Sequence, residues 1–94
     1  MPFQTQDARP YTKDVVRRLA DSQMGVYGIL RNQEWIYIGS GDIKERLLAH
    51  LNGDNPCILK ENPTHFVAEL AQYPVSREKE LTNELGPICN KRAG

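Results

Sequence analysis

Five polar residues in this chain are of the types that phosphoryl chemistry uses, and their spacing can bring them to one place. Tyr27 and Tyr37 lie in the stretch GVYGILRNQEWIYIGSG, residues 25–41, each close to a glycine. Arg46 and His50 stand four apart in IKERLLAHL, and Glu78 precedes Leu81 by three residues in SREKELTNEL. Arginine and tyrosine donate to phosphate oxygens, histidine or tyrosine accepts a proton, and a carboxylate holds a metal ion. No member of the set carries this reading alone. Strand tyrosines are mostly structural, helical arginines mostly solvated, and a single histidine is usually a satisfied packing partner.

The elements that must position these residues are legible in outline. Residues 25–41 read as a hairpin of two strands around the polar turn Arg31-Asn32-Gln33-Glu34. The next segment starts a helix at Asp42, with Glu45 three later as an acidic capping pair, and stops at Asn52-Gly53. Ile43, Leu47 and Leu51 form its apolar stripe, flanked by Leu48, and Arg46 and His50 share one margin of that stripe. A last helix, capped by Ser76 and running Arg77 to Leu85, ends at Gly86-Pro87. Leu81 and Leu85 define its buried side, which Glu78 shares, whereas Glu80 and Glu84 project away. A carboxylate facing the core must be paired, capped or metal-bound; the plainer alternative is that Glu78 favours the positive helix N-terminus.

Three further segments complete the chain. Thr12 reads as the N-cap of a leading helix that runs to about Asp21, with Tyr11 and Val16 as a staple. GDNPCILKENPT reads as a loop, and HFVAELA as a third strand with Phe66, Ala68 and Leu70 on one side. Residues 1–10 read as loose and polar, and Ile88 as a core contact of the tail. The expected fold class is α+β: a small three-stranded, mainly antiparallel sheet flanked by helices, with an extra N-terminal helix.

Ninety-four residues suffice for one core, and 39% hydrophobic with 26% charged residues is an ordinary globular composition. Apolar runs are too short to span a membrane, and MPFQTQDARP lacks the pattern of a secretory signal. Cys57 and Cys89 are far apart with no metal-type spacing, so they read as reduced packing residues in a cytoplasmic protein. Twelve basic and twelve acidic residues leave no net charge. That balance argues against strong autonomous binding to nucleic acid, where phosphate contacts dominate affinity.

The ordered set resembles the GIY-YIG nucleases, a family that includes homing endonucleases, some restriction enzymes and the incision domain of nucleotide-excision repair. GVY at 25–27 matches the first signature with Val for Ile, and YIG at 37–39 matches the second. Arg46 stands where the family carries its catalytic arginine, and His50 one turn later where it carries His or Tyr. Glu78, nine residues before Pro87 in the P-x-x-N motif that Asn90 closes, stands at the metal-binding glutamate. The resemblance covers about residues 24 to 91, and divides the chain into an extension, 1–23, and a nuclease-like domain, 24–94, packed as one domain.

The resemblance implies DNA phosphodiester hydrolysis with one divalent ion, Mg²⁺ or Mn²⁺, held by Glu78. Tyr27, Tyr37, Arg46, His50, Glu78 and Asn90 form the implied catalytic set, with Ser40 and Arg46 as substrate contacts. The base is one of Tyr27, Tyr37 and His50, and Asn90 either orients Glu78 or ties the tail to the site. Two departures stand out. The tyrosines are separated by nine residues, one fewer than is common in the family, which flips faces unless the turn or a bulge absorbs the change. Ser40 replaces a lysine found in some relatives. The expected substrate is DNA, bound weakly by the chain alone and flexible or branched in form, in a repair or recombination setting. A protein partner or a second copy could supply further surface. The alternatives are a catalytically silent binding module or a structural subunit.

Overall fold

The computed structural model describes residues 8–90. Element by element these are β1 (Arg9–Pro10), α1 (Lys13–Arg17), β2 (Met24–Arg31), β3 (Glu34–Asp42), α2 (Ile43–Leu51), α3 (Pro56–Lys60), β4 (His65–Leu70) and α4 (Pro74–Leu85), then a 3₁₀ turn at Ile88–Asn90. The sheet has four antiparallel strands in the order β1-β4-β2-β3, not three. The additional strand is two residues long: Arg9 pairs with Phe66 and Pro10 with His65. A proline is compatible with such an outer position because no ladder hydrogen bond is asked of its nitrogen. The expectation of a loose segment therefore fails at residues 9 and 10, and its part over residues 1–7 lies outside the described residues.

Both faces of the sheet are covered, which explains why β2 reads as a nearly continuous apolar run. On one face Tyr27, Ile29, Ile36 and Phe66 pack against Tyr11, Val16, Ile43, Leu47 and Ile58 from α1, α2, α3 and the segment before α1. On the other, Val26, Leu30, Ile38 and Val67 pack against Leu81, with Trp35 and Leu85 at the margin. The expected one-sided β4 is corrected accordingly. Phe66 and Ala68 face the first core, Val67 is buried in the second, and Leu70 is exposed at the strand end.

Two helix boundaries and one expected loop also differ. α1 stops at Arg17, where the Arg18 and Leu19 amides bond three residues back, to the Val15 and Val16 carbonyls, and tighten the last turn; the chain then turns through Ser22 at a φ of 58°. α4 starts two residues earlier than Ser76, with Pro74 in its first turn and no side-chain cap, since proline is already set at helical φ. The segment 53–64 is not all loop: Asn55 accepts from the Cys57 amide and Pro56 opens the short α3. Three caps stand as expected. Thr12 accepts from the Val15 amide at 3.3 Å, Asp42 accepts from the Glu45 amide at 3.2 Å, and Gly86 closes α4 in the left-handed conformation.

The cysteines are also corrected. Cys57 in α3 and Cys89 in the 3₁₀ turn form a disulfide, their Cα atoms 5.7 Å apart. With no short spacing to signal a pair, only folding brings them together across 32 positions. The reduced-thiol argument for a cytoplasmic location falls with it. Cys89, rather than Ile88, is the tail residue packed on the first core. Among the described residues no helix is long and apolar enough to cross a membrane.

Candidate active site

The site is built on β3, the outer strand on one side of the sheet, and its register decides everything that follows. Tyr27 lies opposite Gly39 and Ile29 opposite Tyr37, but Leu30 lies opposite Trp35. Ile36 is thus an extra residue, a bulge in β3. The bulge absorbs the short gap between the two signatures, so Tyr27 and Tyr37 share the face covered by α2. Their rings are 6.3 Å apart at the centroids. Gly39 is needed here by close approach: a Cβ at this position would fall inside the Tyr27 hydroxyl and ring. The glycine beside the second tyrosine is the seat of the first.

α2 starts directly from the end of β3 and lays its apolar stripe, Ile43 and Leu47, on this face. Its margin then places His50 at the tyrosines. The imidazole is buried, 5.6 Å from the Tyr27 ring and 5.1 Å from the Tyr37 ring by centroid. Tyr27 Oη lies 2.8 Å from His50 Nε2. On the other side of the ring, Nδ1 lies 2.7 Å from Asp54 Oδ1, and Asp54 Oδ2 accepts from Arg46 Nη2 at 2.9 Å. Asp54 has no place in the sequence-derived set. Its i+4 spacing from His50 was the available signal, but that position falls beyond the end of the helix.

Titration behaviour follows from this packing. Burial raises the Tyr27 pKa above its ordinary value, Tyr37 and the Glu78 charge adding to the rise and Arg46 opposing it. The phenol stays neutral at neutral pH. Burial also lowers the His50 pKa, against the hydrogen bond and charge of Asp54, with Arg46 contributing to the lowering. Asp54 is itself held low: its slight burial acts upward, but the hydrogen bonds and charges of His50 and Arg46 outweigh it. Near neutral pH the centre thus combines a neutral imidazole, a neutral phenol, a carboxylate and a guanidinium.

The remaining residues lie elsewhere around β3. Ser40 is opposite Val26, so strand alternation sends it to the α4 face. There its Oγ donates to Glu78 Oε1 at 2.5 Å. Glu78 is half-buried while Glu80 and Glu84 are exposed, as helical phase requires. Asn90 binds neither Glu78 nor Arg46. It accepts from the Ile38 amide at 2.7 Å and donates to the Ile38 carbonyl at 2.9 Å. The side chain thereby pairs β3 where its outer edge would be open, and ties the tail there. Tyr27, Tyr37, Arg46 and His50 thus meet on one face, and Ser40 and Glu78 on the other. Glu78 is connected to the first group through its field at Tyr27.

Among the described residues no group of three or more His, Cys, Asp or Glu side chains could by itself hold a metal ion. The donors at Glu78 are one carboxylate and one hydroxyl. Those hard oxygens fit Mg²⁺ or Mn²⁺, ions that keep several waters and need few protein ligands. The chain matches no protein-family model, no curated protein and no solved structure.

Proposed function

We propose that this chain is a GIY-YIG-type endonuclease that hydrolyses DNA phosphodiester bonds with one divalent ion at Glu78. The observation that carries the reading is the Tyr27–His50 contact of 2.8 Å, with the Arg46 guanidinium at the same cluster. A tyrosine of raised pKa is a poor base alone, and contact with a neutral imidazole supplies what it lacks.

In this mechanism Arg46 binds the scissile phosphate and stabilises the charge added in the transition state, a role suited to its planar fork of donors. The attacking water gives its proton to Tyr27 Oη as the Tyr27 proton passes to His50 Nε2. The water oxygen bonds to phosphorus, the bond to the leaving oxygen breaks, and that oxygen takes a proton from solvent. His50 then returns its proton to solvent, so protons balance over the cycle. Tyr37 packs against the imidazole and keeps it in place, and Asn90 holds the strand that carries Tyr37. Glu78 and Ser40 would hold the divalent ion, whose chemistry when bound is Lewis-acid stabilisation of phosphate charge.

A catalytically silent DNA- or partner-binding module is the competing reading. It draws on the absence of net charge and on the ion pair with Asp54, which occupies one face of the Arg46 fork. Incubation of plasmid, single-stranded and branched DNA with Mn²⁺ separates the two. Cleavage that disappears in Glu78→Gln supports the nuclease, and intact DNA in every case supports the module.

A further inference from the structure

The turn after α2 carries a carboxylate whose position is set by the backbone. Asn52 ends the helix, Gly53 takes a φ of 90°, and the Asp54 amide donates back to the Ala49 carbonyl at 3.2 Å. This C-terminal cap folds the chain under the last turn of α2, so that Asp54 faces His50 and Arg46 instead of continuing away from them. Only a residue free to adopt positive φ reaches this geometry without strain, which is what the glycine supplies.

We infer that Asp54 is a positioning residue of this site: it holds His50 in the Nδ1–H tautomer and so leaves Nε2 to accept the Tyr27 proton. An ionised carboxylate can only accept hydrogen bonds, so the proton between Nδ1 and Oδ1, 2.7 Å apart, belongs to the imidazole. In a neutral ring Nε2 then carries the lone pair, and Tyr27 Oη at 2.8 Å is the donor. The opposite tautomer would turn Nε2 into a donor toward Tyr27 and remove the base. Asp54 also faces the imidazolium that forms when the proton arrives, and its second oxygen fixes the Arg46 fork at 2.9 Å. One carboxylate thus sets both the proton acceptor and the phosphate-binding arm.

Other ionisable groups around the imidazole do not substitute for it. Tyr27 from β2 and Tyr37 from β3 face the ring and are phenols, and Arg46 on α2 opposes a positive imidazole. Tyr11, from the segment before α1, spends its hydroxyl on the Leu47 carbonyl at 2.7 Å. Glu78 on α4 acts on Tyr27 from the opposite face of the sheet. Only Asp54 supplies a negative partner in contact with Nδ1 among the described residues.

The effect on rate rests on the nuclease reading, but the tautomer does not, and the test keeps them apart. Long-range ¹H–¹⁵N spectra of the ¹⁵N-labelled full chain, assigned against His65→Gln, report the tautomer and titration of His50 directly. The parent should show His50 as Nδ1–H above its pKa. Asp54→Ala should shift the neutral ring toward Nε2–H and lower the titration midpoint, because Asp54 raises it. Asp21→Ala, which removes an exposed carboxylate paired with Lys44, should move neither. If the parent is already Nε2–H, or if Asp54→Ala leaves tautomer and midpoint unchanged, the inference is overturned. In cleavage assays Asp54→Ala should lose about tenfold or more, and less than the full ~10²–10⁴-fold that general acid–base catalysis contributes. Its acid limb should move to lower pH. A parent that cuts no DNA would overturn the nuclease reading, and the spectra would still decide the role of Asp54.

Discussion

Gly39 and Tyr27 face each other across β2 and β3, and the small residue is what lets the phenol reach His50. Gly39→Ala should therefore do more than strain the strand. Overpacking should cost about 1–3 kcal/mol, read as a fall in unfolding midpoint, and displacement of Tyr27 should reduce cleavage as well. Ordinary activity in Gly39→Ala would mean that Tyr27 can leave His50 without consequence. Glu78→Gln makes a separate test on the other face. The near-isosteric amide should preserve stability and abolish metal-dependent cleavage, while Glu80→Gln, on the exposed side of α4, should do neither. If both variants cleave like the parent, the divalent ion is not at Glu78. Arg46→Lys should also lose most activity, because one ammonium cannot replace the parallel donors of a guanidinium.

Among the elements, the outer strand β3 is secured from three directions. β2 pairs its inner side, α2 continues directly from its end, and Asn90 bonds both backbone groups of Ile38. The Cys57–Cys89 disulfide fastens the turn that presents Asn90 to α3. Closing a loop with a sequence separation of 32 is worth on the order of 3–4 kcal/mol by the chain-entropy relation. Reduction, or Cys57→Ser, should lower the unfolding midpoint and speed hydrogen exchange at the Ile38 amide. An Ile38 amide equally protected in the reduced protein would show that Asn90 holds the strand without help from the disulfide.

At the scale of the whole molecule, charge and pH set the expectations. Arg31, Lys44, Arg46 and Arg77 are all engaged with carboxylates, and the chain carries no net charge. Binding to plain duplex should lie at the weak end of the non-specific range, about 10⁻⁴ M, with a salt dependence equivalent to roughly two or three phosphates. Fluorescence anisotropy over a salt series measures both; nanomolar affinity with a steep slope would reveal a concentrated basic face. Stability should fall on acidification. The folded His50 pKa is below its unfolded value near 6.5, so the unfolded chain takes up a proton first and stability drains as pH falls from 6.5 to the folded pKa. Asp54, also lowered, adds a second loss as pH falls below 3.8. Denaturant midpoints across this range check the sign, and His50→Gln should flatten the upper portion.

Local chemistry settled much of this protein in advance. Apolar spacing in IKERLLAHL defines α2 and puts Arg46 and His50 on its margin, and Asp42 and Gly86 cap helices with signals that need no partner. Helical phase distinguishes Glu78 from Glu80 and Glu84 for the same reason: it depends only on the 3.6-residue turn. What depended on contacts between distant segments was not readable. The two-residue β1 exists because β4 offers it a free edge, and the disulfide because α3 and the tail converge. The bulge at Ile36 could be named as a way to reconcile the tyrosine spacing, but only cross-strand pairing selects it over a different turn. Asp54 was invisible because a helical wheel stops at the helix end, while the cap at Gly53 turns the next carboxylate back beneath it. Sequence determines which side chains a local element presents; the packing of those elements decides which of them touch.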